Sequence, residues 1–260
     1  MMRKPIRLDV LVHRLGLAPS REKARRMIMA GEVRVDGEVS DKPGARVSPT
    51  SEIEVDAGPP YVSRGGLKLE KALDEFGISP VGCVVADVGA STGGFTDLWL
   101  QSGAAKVYAI DVGYGQLAWT LRQDPRVVVM ERTNARYLEA LPEPVQLASV
   151  DVSFISLSLI LPRIYAWLEE EGQAVALIKP QFEAGAERVG KGGVVKDRQT
   201  HLDVLERVLN DAIRGGWRLL GLIRSPITGP AGNIEFLAWL GKGTHQPAVS
   251  LSMAIEQAVD

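Results

Sequence analysis

The chain has 260 residues, 45% of them hydrophobic and 24% charged, with a net charge of −2, which predicts a soluble globular protein holding one full domain and a small one. A single cysteine, Cys83, excludes an internal disulfide, and no cluster of Cys and His has zinc spacing, so no metal is expected. No run approaches the roughly 20 apolar residues of a membrane span, which excludes a helical membrane protein.

The start, Met1 to Arg7, lacks an apolar signal-peptide core, so the expected location is cytoplasmic, with no membrane partner. The charge is unevenly divided. Residues 1–34 hold nine Lys/Arg against three Asp/Glu, a net +6, and the remainder carries −8. A basic arm on an acidic body is the electrostatic footprint of a segment that meets phosphates, although a solvated basic helix would look the same by charge alone.

In chain order, Ile6, Leu8, Leu11, Val12 and Leu15 have helical spacing, closed by Gly16. Ser20 is placed as N-cap of a second helix, Arg21 to Ala30, with Ala24, Met27 and Ile28 inward and Arg21, Lys23, Arg25 and Arg26 outward, where guanidinium groups can pair with phosphate. Val33 to Val35 and Ile53 to Val55 alternate like strands, and Asp36-Gly37 is a hairpin signal. Leu8-Asp9, Leu11, Gly16, Ser20-Arg21, Ala24, Ile28, Gly31, Val33, Val35 and Gly37 together resemble the small RNA-binding module shared by a ribosomal small-subunit protein, some tyrosyl-tRNA synthetases and pseudouridine synthases. The resemblance implies RNA binding through the second helix, with Arg7 and Ser20 beside it. Asp56-Ala57-Gly58-Pro59-Pro60 then breaks every periodicity and reads as a boundary.

After a helix from about Leu67 to Phe76, the apolar run Val84 to Val88 reads as a buried strand leading into Gly89-Ala90-Ser91-Thr92-Gly93-Gly94-Phe95 and a helix from Thr96 to Ser102. Strand, glycine-rich turn and helix form a Rossmann-like opening, in which the backbone approaches a ligand closely and a helix start offers free N–H groups. Glycines at 89, 93 and 94 miss the G-x-G-x-x-G spacing of a dinucleotide turn, so NAD is the weaker choice and S-adenosylmethionine the better one. A second strand, Val107 to Ile110, ends at Asp111, either a ribose-binding carboxylate followed by Val112 or an ordinary strand-end acid. A third, Val127 to Met130, precedes Asn134, either an adenine-reading amide or a loop turn residue.

Further strands near Leu147 to Val150, Ala174 to Ile178, Leu219 to Ile223 and Phe236 to Leu240, separated by helices of about Ser158 to Leu168 and Leu202 to Ile213, predict an α/β fold with a mostly parallel, doubly wound sheet. Asp151 and Lys179 follow two of these strands directly, at the edge where such sheets bind ligands. Methylating a ribose hydroxyl requires a positioned base and positive charge near the resulting oxyanion, which residues of this type supply. Cys83 precedes the first strand, away from the strand ends, which argues against carbon-5 methylation of a pyrimidine by a cysteine nucleophile. Asp151 is followed by Val152-Ser153-Phe154, unlike the Asp/Asn-Pro-Pro-aromatic run of base amine methylation.

The segment from Tyr61 to about Leu240 resembles the FtsJ-type ribose methyltransferases, and the two-domain chain resembles the TlyA family of ribosomal RNA 2′-O-methyltransferases, often labelled hemolysins. The carrying segments are Val62 to Leu69, Asp87 to Phe95, Asp111 to Leu117, Asp151 to Ser156, Ile178 to Glu183, and Ser225 to Gly232 leading to Glu235. The resemblance implies a domain plan of RNA-binding module 1–56, linker 57–60, methyltransferase domain 61–243 and tail 244–260. It places a catalytic Lys-Asp-Lys-Glu tetrad on Lys68, Asp151, Lys179 and Glu235, with Lys179 accepting or orienting the 2′-hydroxyl proton and Arg64 as a further RNA contact. It implies S-adenosylmethionine held by residues 89–95, Asp111, Val112, Asn134 and Asp151, and ribosomal RNA, with cytidine as the acceptor, as partner of a monomer. Without the resemblance, Lys68 reads as a helix-surface lysine and Glu235 as a strand-start carboxylate. The rival expectations are a ribosome-assembly factor without catalysis and a membrane-lysing hemolysin.

Overall fold

The computed structural model describes residues 5–55, 60–244 and 248–260, so most of the predicted boundary at Asp56 to Pro60 lies outside the described residues. The chain divides into two compact units, Met1–Pro60 and Tyr61–Asp260.

The first unit runs β1 (Ile6–Arg7), α1 (Leu8–Arg14), α2 (Arg21–Met29), β2 (Val33–Val35), β3 (Glu38–Val39), β4 (Arg46–Val47) and β5 (Ile53–Val55). The first helix starts two residues later than its apolar spacing predicts, because Ile6 and Arg7 pair with Val47 and Arg46. Ser20 caps α2 by accepting from Lys23 N at 3.1 Å. Asp36 and Gly37 both have positive φ, the conformation a two-residue hairpin needs, and turn β2 into β3. Leu8, Val12, Ala24, Ile28 and Val33 form the small core.

The second unit contains α3 (Gly65–Phe76), β6 (Val84–Val88), α4 (Gly94–Gln101), β7 (Lys106–Ile110), α5 (Trp119–Arg122), β8 (Val127–Met130), β9 (Val145–Val150), α6 (Leu161–Trp167), β10 (Leu168–Ile178), α7 (Pro180–Glu183), α8 (Arg198–Arg214), β11 (Arg218–Arg224), β12 (Phe236–Gly241) and α9 (Leu251–Val259). Its strands form one sheet in the order β11-β12-β10-β9-β6-β7-β8, parallel from β10 through β8, with β12 antiparallel to both neighbours. Successive residues of each strand face opposite sides. Val85 and Val107 join Leu69, Leu73 and Trp99 of α3 and α4 on one face, while Ala86 and Tyr108 join Ile164, Leu205 and Ile255 of α6, α8 and α9 on the other. This is the doubly wound sheet that the alternation of strands and helices predicts.

The largest difference from the sequence reading lies at the start of a strand. Strand β10 begins at Leu168 rather than Ala174, with a register irregularity between Leu168 and Gln173. The C-terminal tail contains α9, whose Ala254, Ile255 and Ala258 are buried in the core. The order of strands reverses between β6 and β9, and the crevice at such a switch point is where open α/β sheets bind ligands.

Candidate active site

The glycine turn leaves β6 at that switch point. Gly89 has φ +85°, and a Cβ there would overlap the backbone carbonyl oxygen of Asp151 at the end of β9, so only glycine lets the two strand ends approach. Beneath the turn, Asp87 is fully buried and accepts from Thr96 Oγ1 at 2.6 Å and Ser149 Oγ at 2.8 Å, and Ser149 accepts from Trp99 Nε1 at 2.9 Å. These bonds tie α4 and β9 to β6. Burial pushes the Asp87 carboxyl up to about 6 despite its two hydroxyl donors.

One side of the turn opens on a cleft of about 460 Å³, within the range of small-molecule sites. Gly89, Ser91, Asp111, Val112, Asn134 and Asp151 line it, as do Gln116 and Thr133, which the sequence reading did not single out. Asp111 accepts from Ser91 N through Oδ2 and from Gly113 N through Oδ1, both at 2.7 Å. Each oxygen retains a lone pair for a ligand hydroxyl. Asn134 accepts from Arg136 N at 3.0 Å, so its carbonyl oxygen serves the local turn while its amide nitrogen remains for a ligand. Of the remaining predicted cofactor residues, Ala90, Gly94 and Phe95 line a second cleft, and Thr92 accepts from Ala118 N through its backbone carbonyl at 3.0 Å. Gly93 precedes α4 as its N-cap.

The second cleft, about 400 Å³, shares Gly89, Ser91 and Asp151 with the first and is lined further by Ser63, Arg64, Lys68, Ile227, Thr228 and Pro230. Two ion pairs stand here. Lys68 Nζ donates to Glu235 Oε2 at 2.6 Å, with both side chains buried. Lys179 Nζ lies 2.6 Å from Asp151 Oδ1 and donates to Ser153 Oγ at 2.9 Å. The aligned hydrogen bond of Lys179 is the one to Ser153, and Asp151 Oδ1 is a buried oxygen without an aligned donor. Gln181 Nε2, two residues beyond Lys179, reaches Glu235 Oε1 at 3.4 Å.

The fold explains how residues so far apart converge. Lys179 precedes Pro180, which holds it extended at the end of β10. Ile178 pairs with Phe236 across β10 and β12, so one further step of register sets Lys179 opposite Glu235. Lys68 lies on the buried face of α3, with Leu69, Ala72 and Leu73. Reading it as a surface lysine is corrected by that face. The signal was present, since Lys68 stands four residues before Ala72 in the apolar stripe.

Phe154 is 90% exposed and has φ +62°, an uncommon backbone for an aromatic residue. Its ring packs on Phe182 at 4.7 Å between centroids. Sequence reasoning missed both Ser153 and Phe154 as site residues. Cys83 sits at the opposite end of β6, its thiol pushed up by burial, and takes no part.

In the first unit, Lys23, Arg25 and Arg26 are exposed on α2 and have no ion-pair partner among the described residues. Arg7 grips the buried Asp9 through two hydrogen bonds of 3.0 Å, and Arg21 Nε adds a third at 3.1 Å. Arg64 is exposed on the rim of the second cleft.

The family model described as FtsJ-like methyltransferase matches residues 61–242, and that of the S4 domain matches residues 6–53. A 16S/23S rRNA (cytidine-2′-O)-methyltransferase TlyA from Mycobacterium tuberculosis is 46% identical, over 99% of this chain and 98% of that one. The chain belongs to the TlyA family of FtsJ-like methyltransferases. Hemolysin A of Brachyspira hyodysenteriae, 44% identical over 90% of this chain and 98% of its own, is another relative. A solved Streptococcus thermophilus protein, provisionally named a hemolysin, is 48% identical with a TM-score of 0.74, covering 98% of this chain and 94% of that one. An S-adenosylmethionine-dependent methyltransferase from Mesorhizobium loti, 17% identical with a TM-score of 0.51 over 66% of this chain and 96% of that one, shares the fold. Among the described residues, no helix is long and apolar enough to cross a membrane.

Proposed function

We propose that this TlyA-family enzyme transfers a methyl group from S-adenosylmethionine to a ribose 2′-hydroxyl of ribosomal RNA in the cytoplasm, with cytidine as the acceptor nucleotide. The observation that carries this reading is Asp151, which lines both clefts and stands beside Lys179 where they meet. The relatives' names support the RNA substrate and the nucleotide, and the S4 match supports RNA recognition by the first unit.

When bound, S-adenosylmethionine supplies an electrophilic methyl on a sulfonium. The first cleft fits such a ligand: the free lone pairs of Asp111 would hold ribose hydroxyls, Asn134 and Thr133 would hold the base, and Gly89 leaves room beside Asp151 for the part of the ligand that carries the methyl. In the second cleft, the acceptor oxygen takes the remaining N–H of Lys179, whose other contacts are Ser153 and Asp151. The hydroxyl proton passes to the carboxylate of Asp151, because the Lys179 ammonium directs its three N–H groups to Ser153, Asp151 and the acceptor oxygen and has no lone pair to accept one. The oxygen gains the methyl carbon as its bond to hydrogen breaks, and the methyl's bond to sulfur would break with its electron pair left on sulfur, giving a neutral thioether as leaving group. Developing negative charge on that oxygen is met by Lys179 and Lys68, preorganised by their carboxylates. The two pairs sum to no net charge, and the guanidinium of Arg64 on the rim receives the flanking phosphate. The exposed face of Phe154 offers an apolar surface to the nucleobase.

The test is to incubate purified ribosomal subunits with methyl-labelled S-adenosylmethionine and this protein, then hydrolyse the RNA in alkali. A blocked 2′-oxygen cannot attack its phosphodiester, so label is expected in an alkali-resistant dinucleotide beginning with cytidine. Label released as a mononucleotide would place the methyl on a base and defeat the proposal. Ribosomal RNA that stays unlabelled in the presence of tightly bound protein would favour an assembly factor.

A further inference from the structure

The segments that leave β9 and β10 are fastened side by side at several successive points. Asp151 and Ser153 meet Lys179, Phe154 packs on Phe182, and Ser156 and Leu157 meet Glu183. The last contact is the most elaborate. The Glu183 side chain is 2% exposed. Its Oε1 accepts from Leu157 N at 2.8 Å, and its Oε2 accepts from Ser156 Oγ at 2.8 Å. From α8, Arg207 Nη2 donates to that same Oε2 at 3.1 Å and to the Glu183 backbone oxygen at 2.6 Å. A buried carboxylate is costly unless its lone pairs and charge are met, and here both are.

Nothing in the methyl-transfer step uses Glu183, yet its position has a consequence for that step. The segment from Asp151 to Leu157 is held by the strand at one end and by Glu183 at the other. Between them lies Phe154, in a left-handed backbone that costs free energy and persists only where its surroundings enforce it. We infer that Glu183, neutralised by Arg207, is a positioning residue for methyl transfer: it clamps Ser156 and Leu157 so that Asp151, Ser153 and Phe154 are presented to the acceptor nucleotide. The inference rests on the transfer reaction proposed above.

The test compares wild type with Glu183→Gln and Arg207→Lys. The glutamine is nearly isosteric but cannot accept from Leu157, Ser156 and Arg207 at once, and the lysine keeps the charge but loses the planar Nη2 group that donates to the side-chain and backbone oxygens of Glu183. Expected for Glu183→Gln is a kcat about 10- to 100-fold lower, with the dissociation constant of S-adenosylmethionine within about twofold, because Asp111 and the glycine turn are untouched. Amide hydrogen exchange over residues 152–157 is expected to quicken at least tenfold while exchange over residues 89–95 stays the same. Arg207→Lys should lower kcat by about three- to tenfold with the same split. On a Phe154→Ala background, Glu183→Gln should cost less than about twofold more, since the two act through one segment.

Folded Glu183→Gln with wild-type kcat, or with exchange over residues 152–157 unchanged, overturns the inference. So does a loss of kcat that multiplies fully with that of Phe154→Ala. If Glu183→Gln does not fold, wild-type turnover by Arg207→Lys overturns it as well. A wild-type protein that transfers no methyl to ribosomal RNA overturns the proposed reaction, whereas the exchange measurement still judges whether Glu183 holds the segment.

Discussion

The cofactor half of the cleft draws most of its walls from residues 88–116 and 133–135, with residues 151–160 closing it, whereas the acceptor half gathers Lys68, Asp151, Lys179 and Glu235 from four separate elements. The first is largely a local design, in which a strand, a turn and a helix shape a cavity with backbone atoms and the carboxylate of Asp111, closed by Asp151, which it shares with the second. The second depends on the sheet being correctly assembled, because its two ion pairs join residues 167 and 28 positions apart. Binding and chemistry should therefore fail separately.

Lys179→Ala gives the largest expected effect. Turnover should fall by about 10³-fold, the scale of a lost acid–base and electrostatic group, while S-adenosylmethionine affinity measured by calorimetry stays within about threefold. A matching loss of affinity would show that the two halves are one unit. Next comes Asp87, which lies beneath both. Its native carboxyl, pushed up to about 6 by burial, keeps its proton above the unfolded value of 3.8. The native state binds more protons between those values, so this contribution to stability is present below about pH 3.8 and lost as pH rises to about 6. Two units correspond to about 3 kcal/mol. The difference in unfolding free energy between wild type and Asp87→Asn, from denaturant titrations across that window, should fall with pH by up to that amount. A flat difference would remove the burial argument.

Asp111→Ala should weaken S-adenosylmethionine binding by about 10- to 100-fold, the range of one or two charged hydrogen bonds, and leave saturated kcat within about threefold. A large fall in kcat instead would blur the division between halves. The smallest effect is expected for Asn134→Ala, less than about threefold in affinity, because its oxygen already serves the turn at Arg136. A loss comparable to that of Asp111→Ala would make its amide a principal base contact.

The local half was also the legible half. Val84 to Val88 followed by glycines and a helix predicts its own geometry, and the glycine spacing alone turned the choice of ligand away from a dinucleotide. The acceptor half left only traces: Asp151 and Lys179 showed as charges directly after apolar strands, while Lys68 and Glu235 needed the family resemblance. No periodicity says that α3 turns a lysine toward the first residues of β12. Short elements escaped for another reason. Strands β1 and β4 have two residues each and α5 and α7 four, too few for a repeat to register, and they exist because their neighbours offer partners. Ser153 and Glu183 were invisible as positioning groups because each works through a residue that only the fold brings near.

The reversed direction of β12 reaches beyond topology. A parallel strand in that place would finish at this edge and offer whatever follows it, but β12 begins here and delivers Glu235 before its first paired residue. Slipping β12 by one residue against β10 would bring Ile234 or Phe236 opposite Lys179 and send the carboxylate to the other face. Such a slip would strand the buried ammonium of Lys68 without its counter-charge, so the ion pair that serves the site also penalises a misregistered sheet, before any substrate arrives.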